Sequence, residues 1–224
     1  MLVLTFLISS SLFVVKPVSA ASEDSWTSKA PMLTAREDLG VAVVDGRIYA
    51  IGGHNSSFSL VGANEMYDPA SNTWITLTPM PTARADFGIA VYQNKIYVIG
   101  GIIDYVPMAG VDALAVGVVT GVNEVYDPVT NTWDSRKPMP TARGVLQANV
   151  VDGKIYLIGG FAQGLNFSNK TEVYDPSIDT WATMAPIPNY SNGFAAAAVD
   201  HKIYIIGNIT QIFDPNTCYP ATKP

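Results

Sequence analysis

The side chains in this sequence most suited to chemistry are three arginines and three glutamates that recur in step. Arg36, Arg84 and Arg143 each close a Thr-Ala-Arg tripeptide, and Glu65, Glu124 and Glu172 follow them after 29, 40 and 29 residues. In a fourth, divergent copy both members change together, to Ser191 and Gln211. Inside a fold each pair would be an ion pair, and losing one member alone would strand a buried charge at a cost of about 3–5 kcal/mol. Exposed, the arginines would instead form a binding patch. The joint replacement favours internal pairing. Other catalytic equipment is sparse: His54 and His201 are the only histidines and Cys218 the only cysteine. A histidine-based metal site, a Ser-His triad and an internal disulfide are therefore not indicated, and no cofactor or metal is expected.

These residues sit in a repeat. The stretch 79–101, PMPTARADFGIAVYQNKIYVIGG, has copies at 31–53, 138–160 and, worn, at 186–208. Each reads as an apolar strand, a short polar turn and a second strand, for instance Gly88 to Tyr92 and Lys95 to Ile99 around Gln93-Asn94. Asp45-Gly46 and Asp152-Gly153 supply residue pairs that tolerate the positive φ of a tight hairpin. A second hairpin element follows each copy: NEMYDPASNTW (64–74), NEVYDPVTNTW (123–133), TEVYDPSIDTW (171–181) and TQIFDPNTC (210–218). One unit is thus four short antiparallel strands, a to d.

The Gly-Gly pairs after strand b (Gly52-Gly53, Gly100-Gly101, Gly159-Gly160), the Tyr-Asp-Pro ending strand c and the Trp opening strand d resemble the kelch repeat of β-propellers. Kelch units are about 50 residues long; Trp74, Trp133 and Trp181 lie 59 and 48 residues apart, so one unit carries an insertion. The resemblance implies an all-β fold, a kelch-type propeller of four blades with four antiparallel strands each. It says little about function, because one fold hosts many activities. Ser25-Trp26-Thr27, before Pro31-Met32, matches a d strand, whereas the last unit ends at Cys218 without its Trp. The N-terminal strand is therefore expected to complete the last blade and close the ring, which removes an exposed edge. The alternatives are a fragment of a larger ring and a half ring completed by a partner. Trp26, Trp74, Trp133 and Trp181 read as blade-to-blade packing. The Gly-Gly pairs read as sites of positive φ or of close blade contact, and Cys218 as an eroded Trp position.

Of 224 residues 14% are charged and 48% apolar, with a formal net charge of −6. Dispersed basic residues on an acidic chain argue against nucleic acid as a partner. Residues 1–20 read as an export signal, an apolar Leu2–Val15 run ending in the small-x-small motif Val18-Ser19-Ala20. After its cleavage no integral membrane segment is expected. The organisation is a signal peptide at 1–20, a propeller at 21–218 and a short tail at 219–224, in a secreted or envelope protein.

In such a meander the b-to-c and d-to-a loops share one face, and there the sequence varies most. Arg36, His54, Arg84, Tyr105, Arg143, Phe161 and Tyr190 are the candidate contact residues on that side. The apolar insertion at 102–121 is either an interaction patch or a longer hairpin folded over the mouth. Five Asn-x-Ser/Thr sequons, at Asn55, Asn166, Asn169, Asn189 and Asn208, map to the same face and mark loops expected to be exposed and open to N-glycosylation. The expected function is a non-catalytic propeller that binds an unknown protein or glycan. The alternatives are a sugar-processing enzyme resembling a kelch sialic acid epimerase, with acid-base residues in the mouth, and a structural envelope protein. The copper ligands of galactose oxidase, whose propeller is similar, have no counterpart here.

Overall fold

A computed structural model describes residues 25–107, 115–163, 166–189 and 193–217; the leader, Tyr190, Cys218 and the tail lie outside them. Strands are the only regular elements among these residues. The first blade is β1 (Gly40–Val44), β2 (Arg47–Ile51), β3 (Asn64–Asp68) and β4 (Thr73–Thr76), paired antiparallel in that order. The second starts with β5 (Gly88–Tyr92) and β6 (Lys95–Ile99), and a hairpin of β7 (Ile102–Pro107) and β8 (Ala115–Val119) follows. The chain then returns as β9 (Asn123–Asp127) and β10 (Thr132–Arg136), which complete the sheet β5-β6-β9-β10. The third has β11 (Gln147–Val151) and β12 (Lys154–Ile158), a two-residue hairpin of β13 (Phe161–Ala162) and β14 (Asn166–Phe167), then β15 (Thr171–Asp175) and β16 (Thr180–Met184). The fourth has β17 (Ala195–Val199), β18 (Lys202–Ile206) and β19 (Thr210–Phe213).

The four sheets are the blades of a β-propeller, and local chemistry accounts for each. Every first hairpin turns on two residues with φ > 0: Asp45-Gly46 (48°, 71°), Gln93-Asn94 (50°, 57°), Asp152-Gly153 (48°, 76°) and Asp200-His201 (48°, 62°). That is the geometry whose twist matches paired strands. In the second hairpins the Asp of Tyr-Asp-Pro or Phe-Asp-Pro caps the turn. The Oδ1 atoms of Asp68, Asp127, Asp175 and Asp214 accept backbone N–H bonds of 2.8–3.0 Å from the residue two further on, as Asx turns do.

Blades stack through strands that bury both faces. The first strands lie innermost, β1 against β5, β5 against β11 and β11 against β17. Between blades one and two, Ala42, Val44, Tyr49 and Ile51 meet Phe87, Ile96, Val98 and Tyr126, and the same arrangement recurs at the next two junctions. A polar latch repeats beside it. Trp133 Nε1 donates to the Thr78 carbonyl at 2.9 Å while Thr78 N–H donates to Asn131 Oδ1 at 2.9 Å. Trp181 with Asp179 holds Lys137 in the same way, and Trp74 with Asn72 holds Ala30. These three tryptophans are half-buried rather than core residues, each tilted on a Tyr ring 5.0–5.1 Å away. The glycine pairs meet both of their expected needs. Gly52 (φ 65°) and Gly53 (φ 96°) adopt left-handed conformations, and a Cβ on Gly52 would lie 2.6 Å from the Arg84 carbonyl of the next blade.

Among the described residues the expected closure does not occur. Ser25 to Ala30 forms no strand, Trp26 is fully exposed, and the last sheet has three strands among the described residues. The latch is nevertheless in place, with Ala30 held at blade one by Asn72 and Trp74, but Ser25 to Ala30 does not pair with β19. Val41 and Val43 are 56% and 59% exposed, since among the described residues no blade packs on that side of β1. The 102–121 insertion takes the hairpin form, with Ile102 buried and Val119 N–H reaching Gln163 Oε1 at 3.4 Å.

Because Trp133 fixes one junction through packing and one hydrogen bond, Trp133→Ala is predicted to cost about 2–4 kcal/mol. Chemical denaturation of the variant beside the parent checks this.

Candidate functional site

The three arginines are interior. Arg36 Nη1 lies 2.9 Å from Glu65 Oε2, Arg84 Nη1 2.5 Å from Glu124 Oε2 and Arg143 Nη2 2.7 Å from Glu172 Oε2, and all three guanidiniums are wholly buried. The Thr of each Thr-Ala-Arg tripeptide donates to the second carboxylate oxygen, at 2.6, 2.7 and 2.8 Å. Other Nη protons reach carbonyls such as Ala50 and Val98, whereas the three Nε groups are buried without a hydrogen-bond partner among the described residues. Burial pulls the Arg84 and Arg143 guanidiniums below their usual pKa, and the facing glutamates oppose that pull. In the fourth blade the neutral Gln211 bonds instead to the backbone N–H and carbonyl of Asn189, at 3.1 and 2.7 Å. Arg36, Arg84 and Arg143 therefore brace blades and present no charge to solvent.

What does face solvent on the loop side is a cluster from blades one and two. Asp38 and Asp86 occupy the same repeat position just before the innermost strands, with φ of 53° and 54°, and Val145 (51°) and Gly193 (67°) take it in the next two blades. Asp86 N–H donates to the Asp38 carbonyl at 3.1 Å and Val145 N–H to the Asp86 carbonyl at 2.7 Å. A backbone chain thus runs around the inner rim and carries the two carboxylates with it. His54, from the β2–β3 loop, is buried over this rim, with Nε2 3.0 Å from Asp38 Oδ2 and Nδ1 2.9 Å from the Asn55 carbonyl. A carbonyl only accepts, so Nδ1 carries the proton of the neutral ring, and the Asp38 carboxylate favours a second one on Nε2. Burial lowers the His54 pKa, but the Asn55 carbonyl, Asp38 and Glu37 outweigh it and the net shift is upward.

Aromatic rings roof the cluster. Phe58 stacks on His54 at 5.0 Å, and Tyr105, from β7 of the next blade, stands edge-on to both at 5.5 and 5.6 Å. Burial, then the repulsion of Asp38, pushes the Asp86 carboxyl up to about 6, with His54 opposing. Burial and the nearby Asp86, Asp38 and Glu37 push the Tyr105 hydroxyl up to about 12. A cleft of about 310 Å³ beside His54 is lined by Ala35, Arg36, Glu37, Asn55 and Ser56, and one of about 250 Å³ lies over Asp38, Asp86 and Gln147. Chemically, the rim can hold a polar ligand between acids and aromatic faces, and it contains groups that exchange protons near neutrality. Among the described residues no three His, Cys, Asp or Glu side chains gather as metal ligands.

Of the sequence candidates, His54 and Tyr105 come together here. Phe161 lies in the third blade, half-buried against Phe167 at 4.4 Å. Asp38, Asp86, Phe58 and Glu37 are new. The signal for the aspartates was their shared position after the Thr-Ala-Arg tripeptide, which shows its meaning only once that position is at the rim. His201 sits in a first-hairpin turn and bonds Asp152 of the neighbouring turn, away from His54. Of the sequon asparagines, Asn169, Asn189 and Asn208 are exposed, whereas Asn55 is half-buried and its Oδ1 accepts the Ser57 and Ser59 N–H groups at 2.9 and 3.0 Å.

The Kelch motif model matches residues 35–81, 83–140 and 147–188. The chain is 30% identical to beta-scruin of Limulus polyphemus over 135 residues, 60% of this chain and 14% of that protein. It is 33% identical to Kelch-like protein terF of Aspergillus terreus over 140 residues, 62% of this chain and 18% of that one. It thus spans under a fifth of the length of these relatives. The solved structure of YjhT matches with a TM-score of 0.69 at 21% identity, over 83% of this chain and 63% of that one, a likeness of fold.

Two outcomes follow. Arg84→Met, which strands Glu124, is expected to destabilise by about 3–5 kcal/mol, and Arg84→Met with Glu124→Leu to recover much of the loss, as read by denaturant titration. Asp38→Asn is expected to lower the pKa of both His54 and Asp86, since it removes a partner from the first and a repulsive neighbour from the second; NMR pH titration of the two side chains measures it.

Proposed function

Because the chain belongs to the kelch-motif family, we propose that it is a non-catalytic binding module, an exported propeller that grips a protein or glycan with the loops on one face. The observation that carries this reading is the rim of Phe58, Tyr105 and His54 above Glu37, Asp38 and Asp86. Phe58 is 60% exposed although it is a large apolar side chain in a short loop, and aromatic rings set among polar groups are the usual anchors of protein and sugar interfaces. Variation is concentrated on this face, while the opposite turns keep the same short geometry. The leader-like start and the exposed sequon asparagines support export. Binding by kelch propellers to other proteins is common enough to make a protein the first partner to seek.

A second reading, a sugar-processing enzyme of the epimerase type, is favoured by one fact. Asp86, with its carboxyl pushed up to about 6, stands near His54 and Tyr105, and general acid-base catalysis works best with groups that titrate near the working pH. In this reading Asp86 would exchange a proton with a sugar hydroxyl while His54 orients Asp38.

The test is capture from the native extracellular fraction by the parent and by a Phe58→Ala/Tyr105→Ala variant. The rim reading predicts that the double variant loses at least tenfold of the captured partner while His201→Ala, on the far turns, loses none. Equal capture by all three would refute it. NMR observation of N-acetylneuraminic acid anomer exchange decides the second reading: acceleration by the parent that Asp86→Asn removes would establish an enzyme.

A further inference from the structure

The two outermost blade faces carry side chains that the repeat elsewhere keeps dry. Ile51, Ile99 and Ile158 hold one repeat position in blades one to three and are 0% exposed; Ile206, at that position in blade four, is 54% exposed. Val125 and Val173 are 2% and 4% exposed, and their counterpart Ile212 is 58%. Blade four thus presents the surface with which blades one to three hold a following blade, and no described residue covers it. Blade one presents the converse. Val41 and Val43 are open where their counterparts Ile89 and Val91 pack against a preceding blade.

The backbone shows the same complementarity. β19 is an edge with no fourth strand beside it among the described residues, in a fold whose other blades all have one. Ser25 to Ala30 has the sequence of such a fourth strand and an unpartnered, fully exposed Trp26. Its exit is already in place: Ala30 is latched to Asn72 and Trp74 of blade one as Thr78 is latched to Asn131 and Trp133 of blade two. At the junctions of blades one and two and of blades two and three the chain runs from a fourth strand through this latch into the next blade. Ser25 to Ala30 and blade one are therefore the second half of a junction, and blade four is the first half.

We infer that a second copy of this chain supplies the missing half. Residues 25–30 of one copy add to β19 of the other, and blade one of the first packs on blade four, repeating the junction made three times within the chain. The contact is heterologous. Two copies related by a twofold axis make it twice, which covers all four open surfaces in a ring of eight blades, within the range that propellers adopt. Hydrophobic burial of the open valines and isoleucines drives it, and strand addition sets its register.

Sedimentation velocity of the full chain, at concentrations from 1 to 50 µM, tests this, the protomer being 24.0 kDa. A discrete two-copy particle is expected. Val43→Glu and Ile206→Glu should each raise the dissociation constant at least a hundredfold, and Trp26→Ala at least tenfold, with the β circular dichroism of the parent retained. His201→Ala should leave it unchanged. Single copies throughout the range would overturn the inference, as would polymers that grow without limit, or a two-copy particle indifferent to Val43→Glu and Ile206→Glu. Ile51→Glu, in a closed junction, should unfold the protein, which separates a change in assembly from a loss of fold.

Discussion

One buried residue type ties the structure together in two directions. The side chain of Arg84 locks onto Glu124 across its own blade, and its carbonyl accepts the N–H of Gly53 from the blade before at 3.0 Å. Arg143 does the same with Glu172 and with Gly101. A charge taken so far from water is tolerable only while its partner and hydrogen bonds persist. The pair therefore fixes the strand-to-loop crossing at the base of the variable face, and the rim above inherits its position. Gly52 is a glycine for the same reason, since a Cβ there would displace the Arg84 carbonyl that joins the blades, while a Cβ on Gly53 would meet the Glu37 carbonyl of its own blade.

Much of the fold could be read before the coordinates because the repeat states it several times. The hairpin bounds at Gly88–Tyr92 and Lys95–Ile99 follow from alternation and turn chemistry, and arginine and glutamate that change together at Ser191 and Gln211 imply partners. Closure was misread at Trp26. The sequence of a strand states its propensity, whereas its partner depends on where the neighbouring edge lies. Trp74, Trp133 and Trp181 do lie between blades, though only half-buried. Their indoles span the outer margin of a junction and keep one side in water.

The rim was legible only in part. His54 and Tyr105 stood out as unusual residues in variable loops, but Asp38 and Asp86 look like ordinary loop aspartates. Their importance comes from left-handed backbone at a fixed repeat position and from the hydrogen bonds that join that position across blades. Neither property has a signature in residue type, since Val145 adopts the same conformation. Phe58 likewise gains meaning only through the ring of Tyr105, which arrives from a different blade on the inserted hairpin.

The chain of backbone hydrogen bonds from Asp38 through Asp86 to Val145 has a consequence for direction. Its links are alike but its side chains are not: two acids stand on one arc of the inner circle, followed by a valine and then by Gly193. A structure built by near-identical repetition thus acquires a polarised opening, anionic on one bearing and neutral on the other. A visitor settling there would be held in a single azimuth, and the repeat's pseudosymmetry would not offer it equivalent seats.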